Sequence, residues 1–226
     1  MTKLRLPGGT DVAEMAFFDI DALPAGSPDD STVETLVASN RLIRFPTGGD
    51  GGYLLHLYVD EPVPADLQRF CLADDKFTGG FSTEHGNVAF GGLESTFANF
   101  EPNRLIRADG TIPSGDYSYT AFHTEFPDEL VSRTLRVEAT SRERWLSRAP
   151  LILSLVTFSL AVTLAVAQRF PTAGLALLAG FFGVRFLRRI PAYQATVVRR
   201  DAAQLELPSI VVELRSAAVP HLPSDI

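Results

Sequence analysis

The chain has 226 residues, with 20 Lys and Arg against 27 Asp and Glu and a net charge of −7. The charge is uneven: residues 1–140 carry 10 basic and 22 acidic side chains, a net of −12, whereas residues 141–226 carry 10 and 5, a net of +5. So acidic a first part gives no basis for a nucleic-acid partner, whose phosphates reward Lys and Arg, and a single cysteine, Cys71, excludes an internal disulfide.

The first residues, MTKLRLPGGTDVAEM, lack the apolar run of a signal peptide, so the acidic part is expected to stay in the cytoplasm. Arg outnumbers Lys 18 to 2 and Ala is abundant, a composition typical of a GC-rich bacterial genome.

Residues 1–141 read as one acidic, β-rich domain of sandwich-like type. Runs of β-branched and aromatic residues bounded by Gly, Pro, Asn or Asp predict strands at 13–20, 41–45, 52–59, 86–90, 104–107, 117–126 and 132–139. Ser31 with Glu34 three residues on has the form of a capping box before a short helix. Residues 64–73 predict a second helix, with Pro64 in its first turn and Leu67, Phe70, Cys71 and Leu72 on its buried side. Cys71 there is a small core hydrophobe rather than a reactive thiol. The glycine-rich segment 47–53, TGGDGGY, lacks the lysine and the following helix of a phosphate loop, and predicts a hairpin turn.

Two apolar runs follow. Residues 149–167 carry no charge, and residues 170–187 carry only Arg185. A hydrocarbon core of roughly 30 Å needs about 20 helical residues, so each run is near spanning length. Only Gln168 and Arg169 separate them, which predicts a transmembrane helical hairpin within residues 142–190. Arg142, Arg144 and Arg148 precede it, Arg185, Arg188, Arg189, Arg199 and Arg200 follow, and the turn holds Arg169 alone. By the positive-inside rule the hairpin is multi-pass in the inner (plasma) membrane with both termini cytoplasmic. Trp145, Arg148, Arg185, Arg188 and Arg189 are the expected interfacial anchors, and Pro150 and Pro171 are expected in the first turns of their helices. Small residues at Ala161/Ala165, Ala176/Gly180 and Ala179/Gly183 offer close helix packing, within the hairpin or in a homo-oligomer.

Residues 191–226 contain two more strand-like runs, 195–198 and 210–214. They are too few for a core of their own and are expected to dock back on the cytoplasmic domain. The fold class is therefore α+β, a mostly-β cytoplasmic domain with a two-helix transmembrane hairpin.

Chemistry-bearing residues are sparse. His56, His85, His123 and His221 have no metal-ligand spacing, and no serine sits in a nucleophile elbow, so no metal or cofactor is expected. The best constellation is His123 with Glu125 two residues along one strand, and His56 on a neighbouring strand. Three functions remain open: a non-enzymatic membrane protein whose acidic domain binds a protein or small-ligand partner, as an inhibitor or immunity protein would; a membrane-surface enzyme using His123, Glu125 and His56; and an oligomeric membrane scaffold. The spans lack Asp, Glu, His and Lys, which argues against transport.

Overall fold

A computed structural model describes residues 2–101, 103, 105–137 and 140–217. It has mixed α+β architecture in two compact units, one comprising Met1–Phe126 and Leu207–Ile226, the other Pro127–Glu206.

The first unit holds two sheets. One has the order β1 (Thr2–Thr10), β4 (Gly51–Val59), β9 (Ile210–Ser216), β8 (Gly115–Thr124), β5 (Cys71–Thr83). The other runs β3 (Leu42–Pro46), β2 (Glu14–Asp19), β6 (Asn87–Gly92), β7 (Arg107–Thr111). All neighbours are antiparallel except β4 and β9, which run parallel. Alternation along the strands sends Leu55, Leu57, Ile210, Val212 and Leu214 from one sheet, and Met15, Phe17, Phe45, Val88 and Phe90 from the other, into a single buried cluster. The outer face of the second sheet is covered by helix α1 (Asp30–Ala38), whose Val33 and Leu36 pack with Phe18 and Leu42. Tyr58 and Val211, on the outer face of the first sheet, lie under Val63 and the short helix α2 (Ala65–Gln68).

The sheets touch along β1. Gly9 donates its backbone N–H to the Ile106 carbonyl (3.0 Å), and a Cβ there would come within 2.3 Å of the Leu105 carbonyl oxygen. Only glycine allows that approach.

The second unit is helical: α3 (Asp128–Val137), α4 (Ser141–Val166), α5 (Phe170–Arg189) and α6 (Pro191–Gln204). Helices α4 and α5 pack antiparallel along their length. Their joint is a tight C-terminal cap, with Gln168 at φ +57°, its N–H on the Ala165 carbonyl and that of Arg169 on the Leu164 carbonyl. Segments Arg148–Val166 and Phe170–Arg189 are long and apolar enough to cross a membrane.

Several expectations are corrected. Segment 132–139 is not a strand; its described part belongs to α3, where Asp128 and Glu129 favour a helix N-terminus and Leu130, Val131 and Thr134 recur at helical spacing. Segment 195–198 lies inside α6, opened by Pro191 and rich in alanine. The helix expected at 64–73 stops at Gln68, and Cys71 already begins β5. The cap of α1 is Asp29 rather than Ser31: its carboxylate accepts from the Thr32 N–H (2.8 Å), the Thr32 hydroxyl (2.6 Å) and the Ser31 hydroxyl (3.0 Å). Residues 47–50 do not close a hairpin but carry the chain from β3 in one sheet to β4 in the other. Pro150 lies in the interior of α4, which begins nine residues before it. The strand expected at 104–107 starts at Arg107, and Arg104 lies outside the described residues.

Candidate functional site

Strand register decides the fate of the histidine constellation. His56 pairs with Val211, and Val211 with Phe122, so these three share one face of the sheet; Ile210 pairs with Leu55 and His123, which share the other. His56 and His123 therefore point to opposite faces and cannot work on one substrate. His123 lies at the end of the inner face, its ring edge-on to Phe77 at 5.5 Å and its Nδ1 3.6 Å from Asp75 Oδ2. Glu125 lies exposed beyond the end of β8 and holds its place through its backbone N–H, which donates to the Phe70 carbonyl (3.0 Å). The carboxylate nearest His123 is thus Asp75, delivered by a register shift in β5 between Cys71 and Lys76. The strand pattern of the sequence contains no signal for that shift.

His85 is exposed in a turn, and His221 lies outside the described residues. No group of three or more His, Cys, Asp or Glu side chains among the described residues is placed to hold a metal. Burial pushes the Cys71 thiol above its ordinary pKa, which disfavours the thiolate.

A polar cleft of about 310 Å³ opens between Arg41, just before β3, the end of β5 at Ser82 and Thr83, and the start of β8 at Gly115 and Asp116. Two of its lining residues are held by the buried Asp19 carboxylate, which accepts from Arg41 (2.7 Å) and from the Thr83 hydroxyl (3.2 Å), and also from the Asp21 N–H (3.3 Å). Arg41 also donates to Glu84 (2.6 Å), and Ser82 to Asp116 (2.5 Å). Burial opposes the charge on Arg41, but its hydrogen bonds to Glu84 and Asp19 outweigh this and push its pKa up. The guanidinium is thus committed to the protein's own carboxylates, and the rim left to solvent, Glu84 and Asp116, is acidic. Sequence reasoning had no way to find this cleft, because Asp19, Arg41 and Glu84 come from three strand ends far apart in the chain.

A second carboxylate device ties β4 to β9. Asp60, at φ +57°, accepts from the Ser216 N–H (2.8 Å) and hydroxyl (2.7 Å), and its own N–H donates to the Leu214 carbonyl (2.9 Å). The backbone hydrogen bond from Ser216, followed by that from its hydroxyl, holds the Asp60 carboxyl below its ordinary pKa. A depressed folded-state pKa contributes stability that is present above the unfolded value, about 3.9, and is lost as pH falls through the folded one. Asp60→Asn is therefore expected to flatten the acid limb of a melting-temperature profile taken from pH 7 to pH 3; an unchanged limb would refute the assignment.

In the helical unit, the anchors expected from sequence, Trp145, Arg148, Arg185, Arg188 and Arg189, are all exposed. Trp145 and Arg148 lie near the start of α4 and the other three near the end of α5, which the antiparallel packing brings to the same end. Gly180 is buried against α4, and a Cβ on it would come within 2.5 Å of the Thr157 hydroxyl; a Cβ on Gly183 would meet Leu153 at 2.9 Å. Ala161 and Ala173 are buried, Ala176 half-buried and Ala179 exposed. The glycines thus serve the hairpin's own packing, while Ala179 faces outward. Gly180→Leu is expected to part the helices and lower the melting temperature of the detergent-solubilised protein, at a cost of about 1–3 kcal/mol. Gly174→Ala, with open space around it inside α5, should not lower the melting temperature and is expected to raise it slightly, alanine being the better helix former by about 1 kcal/mol.

No family model matches the chain, and no curated protein is similar to it. A solved structure, "Crocagin biosynthetic gene J", aligns over 54% of this chain and 75% of its own at 18% identity with a TM-score of 0.36, too distant a likeness to carry an argument.

Proposed function

We propose that this chain is a non-enzymatic integral membrane protein of the bacterial inner membrane. The α4–α5 hairpin anchors it with both termini in the cytoplasm, and its acidic, sandwich-like β domain binds a basic protein partner. The observation that carries the anchoring is the exposure of the hairpin. Only 17% and 11% of the residues in the two apolar windows are buried, and Phe158, Phe181, Phe182 and Phe186 are each more than 60% exposed. A helix pair in the core of a soluble domain buries such side chains; lipid is the solvent that tolerates them outside. The net charge of −12 over residues 1–140 supports the binding role, because a one-signed field steers an oppositely charged partner. Against catalysis stand the opposite faces of His56 and His123 and the commitment of Arg41 to internal partners.

Two measurements test the two halves. In a Cys71→Ser background, Gln168→Cys is expected to react with an impermeant maleimide added to intact cells, and a cysteine placed at the exposed Thr78 only after lysis; the reverse pattern, or extraction of the protein by alkaline carbonate, overturns the anchoring. Affinity capture from gently solubilised membranes is expected to recover a stoichiometric basic partner that leaves as salt is raised. Recovery of the protein alone, or of a partner indifferent to salt, overturns the binding role.

A further inference from the structure

We infer that the groove between α4 and α5, with Arg148 and Arg188 at its mouth, is a binding site for one anionic phospholipid. The acyl chain lies along the groove and the phosphate sits between the two guanidiniums. The inference rests on the membrane anchoring proposed above.

The groove, about 440 Å³, is walled by Leu151, Leu155 and Phe158 of α4 and by Leu177, Phe181 and Val184 of α5. The spacing within each set, three and four residues, places it on one stripe of its helix. Each stripe runs on into an arginine: Arg148 lies three residues before Leu151, and Arg188 four after Val184. Gly183 opposite Leu153 and Gly180 opposite Thr157 fix the antiparallel register, which brings Arg148 and Arg188 to the same end of the groove. Arg185, four residues after Phe181, adds a third guanidinium beside them. Among the described residues no carboxylate lies within ion-pair distance of any of these three. The site therefore combines an aliphatic slot with forked donors whose geometry matches a phosphate.

A second copy of the hairpin would fill the slot less well. A two-fold contact through this face sets Arg148 and Arg188 of one copy against the same residues of the other, like charges at the edge of a low-dielectric medium. A zwitterionic lipid carries its own cation and forfeits part of the attraction, which selects an anionic headgroup.

The test uses the full-length protein in nanodiscs of phosphatidylcholine doped with phosphatidylglycerol of the same acyl chains, with retained lipid read by native mass spectrometry. One phosphatidylglycerol is expected to be held about tenfold or more over phosphatidylcholine, a tenfold ratio being about 1.4 kcal/mol. Arg148→Gln with Arg188→Gln is expected to erase that preference. Ser154→Trp, on the exposed groove wall, is expected to expel either lipid with helix content unchanged. Equal retention of the two lipids, a preference that survives the double variant, or a dimer that Ser154→Trp dissolves would each overturn the site. A protein that enters the discs without lipid preference overturns the lipid site alone; one that does not enter them overturns the anchoring reading as well.

Discussion

Ending the chain at Glu206 is expected to abolish cooperative unfolding of the β domain, although residues 2–126 supply eight of its nine described strands. The missing strand, β9, is central, parallel to β4 on one side and antiparallel to β8 on the other. Its loss leaves two rows of backbone groups unpaired inside a sheet and removes Ile210, Val211, Val212 and Leu214, all fully buried. At about 1.5–3 kcal/mol for each aliphatic side chain, the burial lost is roughly 6–12 kcal/mol. That is comparable to the whole stability of a domain, about 5–15 kcal/mol. The complementary deletion should have the opposite outcome. The Thr124 N–H donates to the Ser209 carbonyl (3.0 Å), so the ends of β8 and β9 already lie side by side. Replacing residues 127–206 by a short Gly-Ser turn is expected to give a soluble domain that melts cooperatively. Circular dichroism and limited proteolysis of both proteins decide the matter; a truncated chain that melts like the intact one, or a linked chain that does not fold, refutes the central role of β9.

Arg107→Met is expected to cost the β domain about 3 kcal/mol. Arg107 is 2% exposed and is the largest fully buried side chain described. It donates to Asp109 (2.8 Å) and to the carbonyls of Ser95 (3.2 Å) and Phe97 (3.1 Å), and its guanidinium lies 5.2 Å from the Phe18 ring and 5.8 Å from that of Phe100. It thereby pins the loop after β6 to the outer face of the second sheet. Methionine fills much of the volume but leaves the two carbonyls without this donor, at about 1–3 kcal/mol for each unsatisfied group. The orphaned carboxylate adds less than in a fully buried pair, because Asp109 is one-third exposed and can rehydrate. Asp109→Asn, which keeps an acceptor oxygen but removes the countercharge of a buried guanidinium, should cost about 1.5–3 kcal/mol, in line with a hydrogen bond to a charged group. Denaturant melts of the linked soluble domain measure both, and a cost under about 1 kcal/mol for Arg107→Met would show the loop to be held by other contacts.

The parts of the fold legible in the sequence are those where local and global preferences agree. Strands β2, β3, β4, β6, β8 and β9 combine β-branched or aromatic runs with turn residues at their ends, and each lies close to where that pattern places it. Strands β1 and β5 escape because their Pro7, Gly8-Gly9, Asp74-Asp75 and Gly79-Gly80 read as loop punctuation. Both are edge strands, where one open side tolerates proline, glycine and charge. Helices α3 and α6 were hidden by short valine- and threonine-containing runs, which helix-starting residues and packing of the two helices on each other overrode. The exposed arginines and the apolar runs of the hairpin were readable because they depend on composition and spacing. The separation of His56 from His123 was not, since it follows from pairing β4 with β9 and β9 with β8, two contacts more than eighty residues apart in the chain. Arg107 was equally hidden, because arginine is a surface residue by default; its one local trace is Asp109, two residues on and on the same face of β7.

The position of β9 also sets an order of events during synthesis. A ribosome adds about 5–20 residues per second and delivers the N-terminal part of a protein first. Here the apolar hairpin, which ends at Arg189, leaves the ribosome before the strand that fills the middle of the sheet, which begins only at Ile210. In the membrane-anchored reading, insertion into the bilayer therefore precedes completion of the β domain, and the nascent eight-stranded segment waits in the cytoplasm for its C-terminal neighbour. A chain that crossed the bilayer once instead of twice would strand β9 on the far side, where it could never reach β4 and β8. On that reading folding would double as proofreading of insertion: only correctly threaded molecules would acquire a finished domain, and the others would remain open to proteolysis.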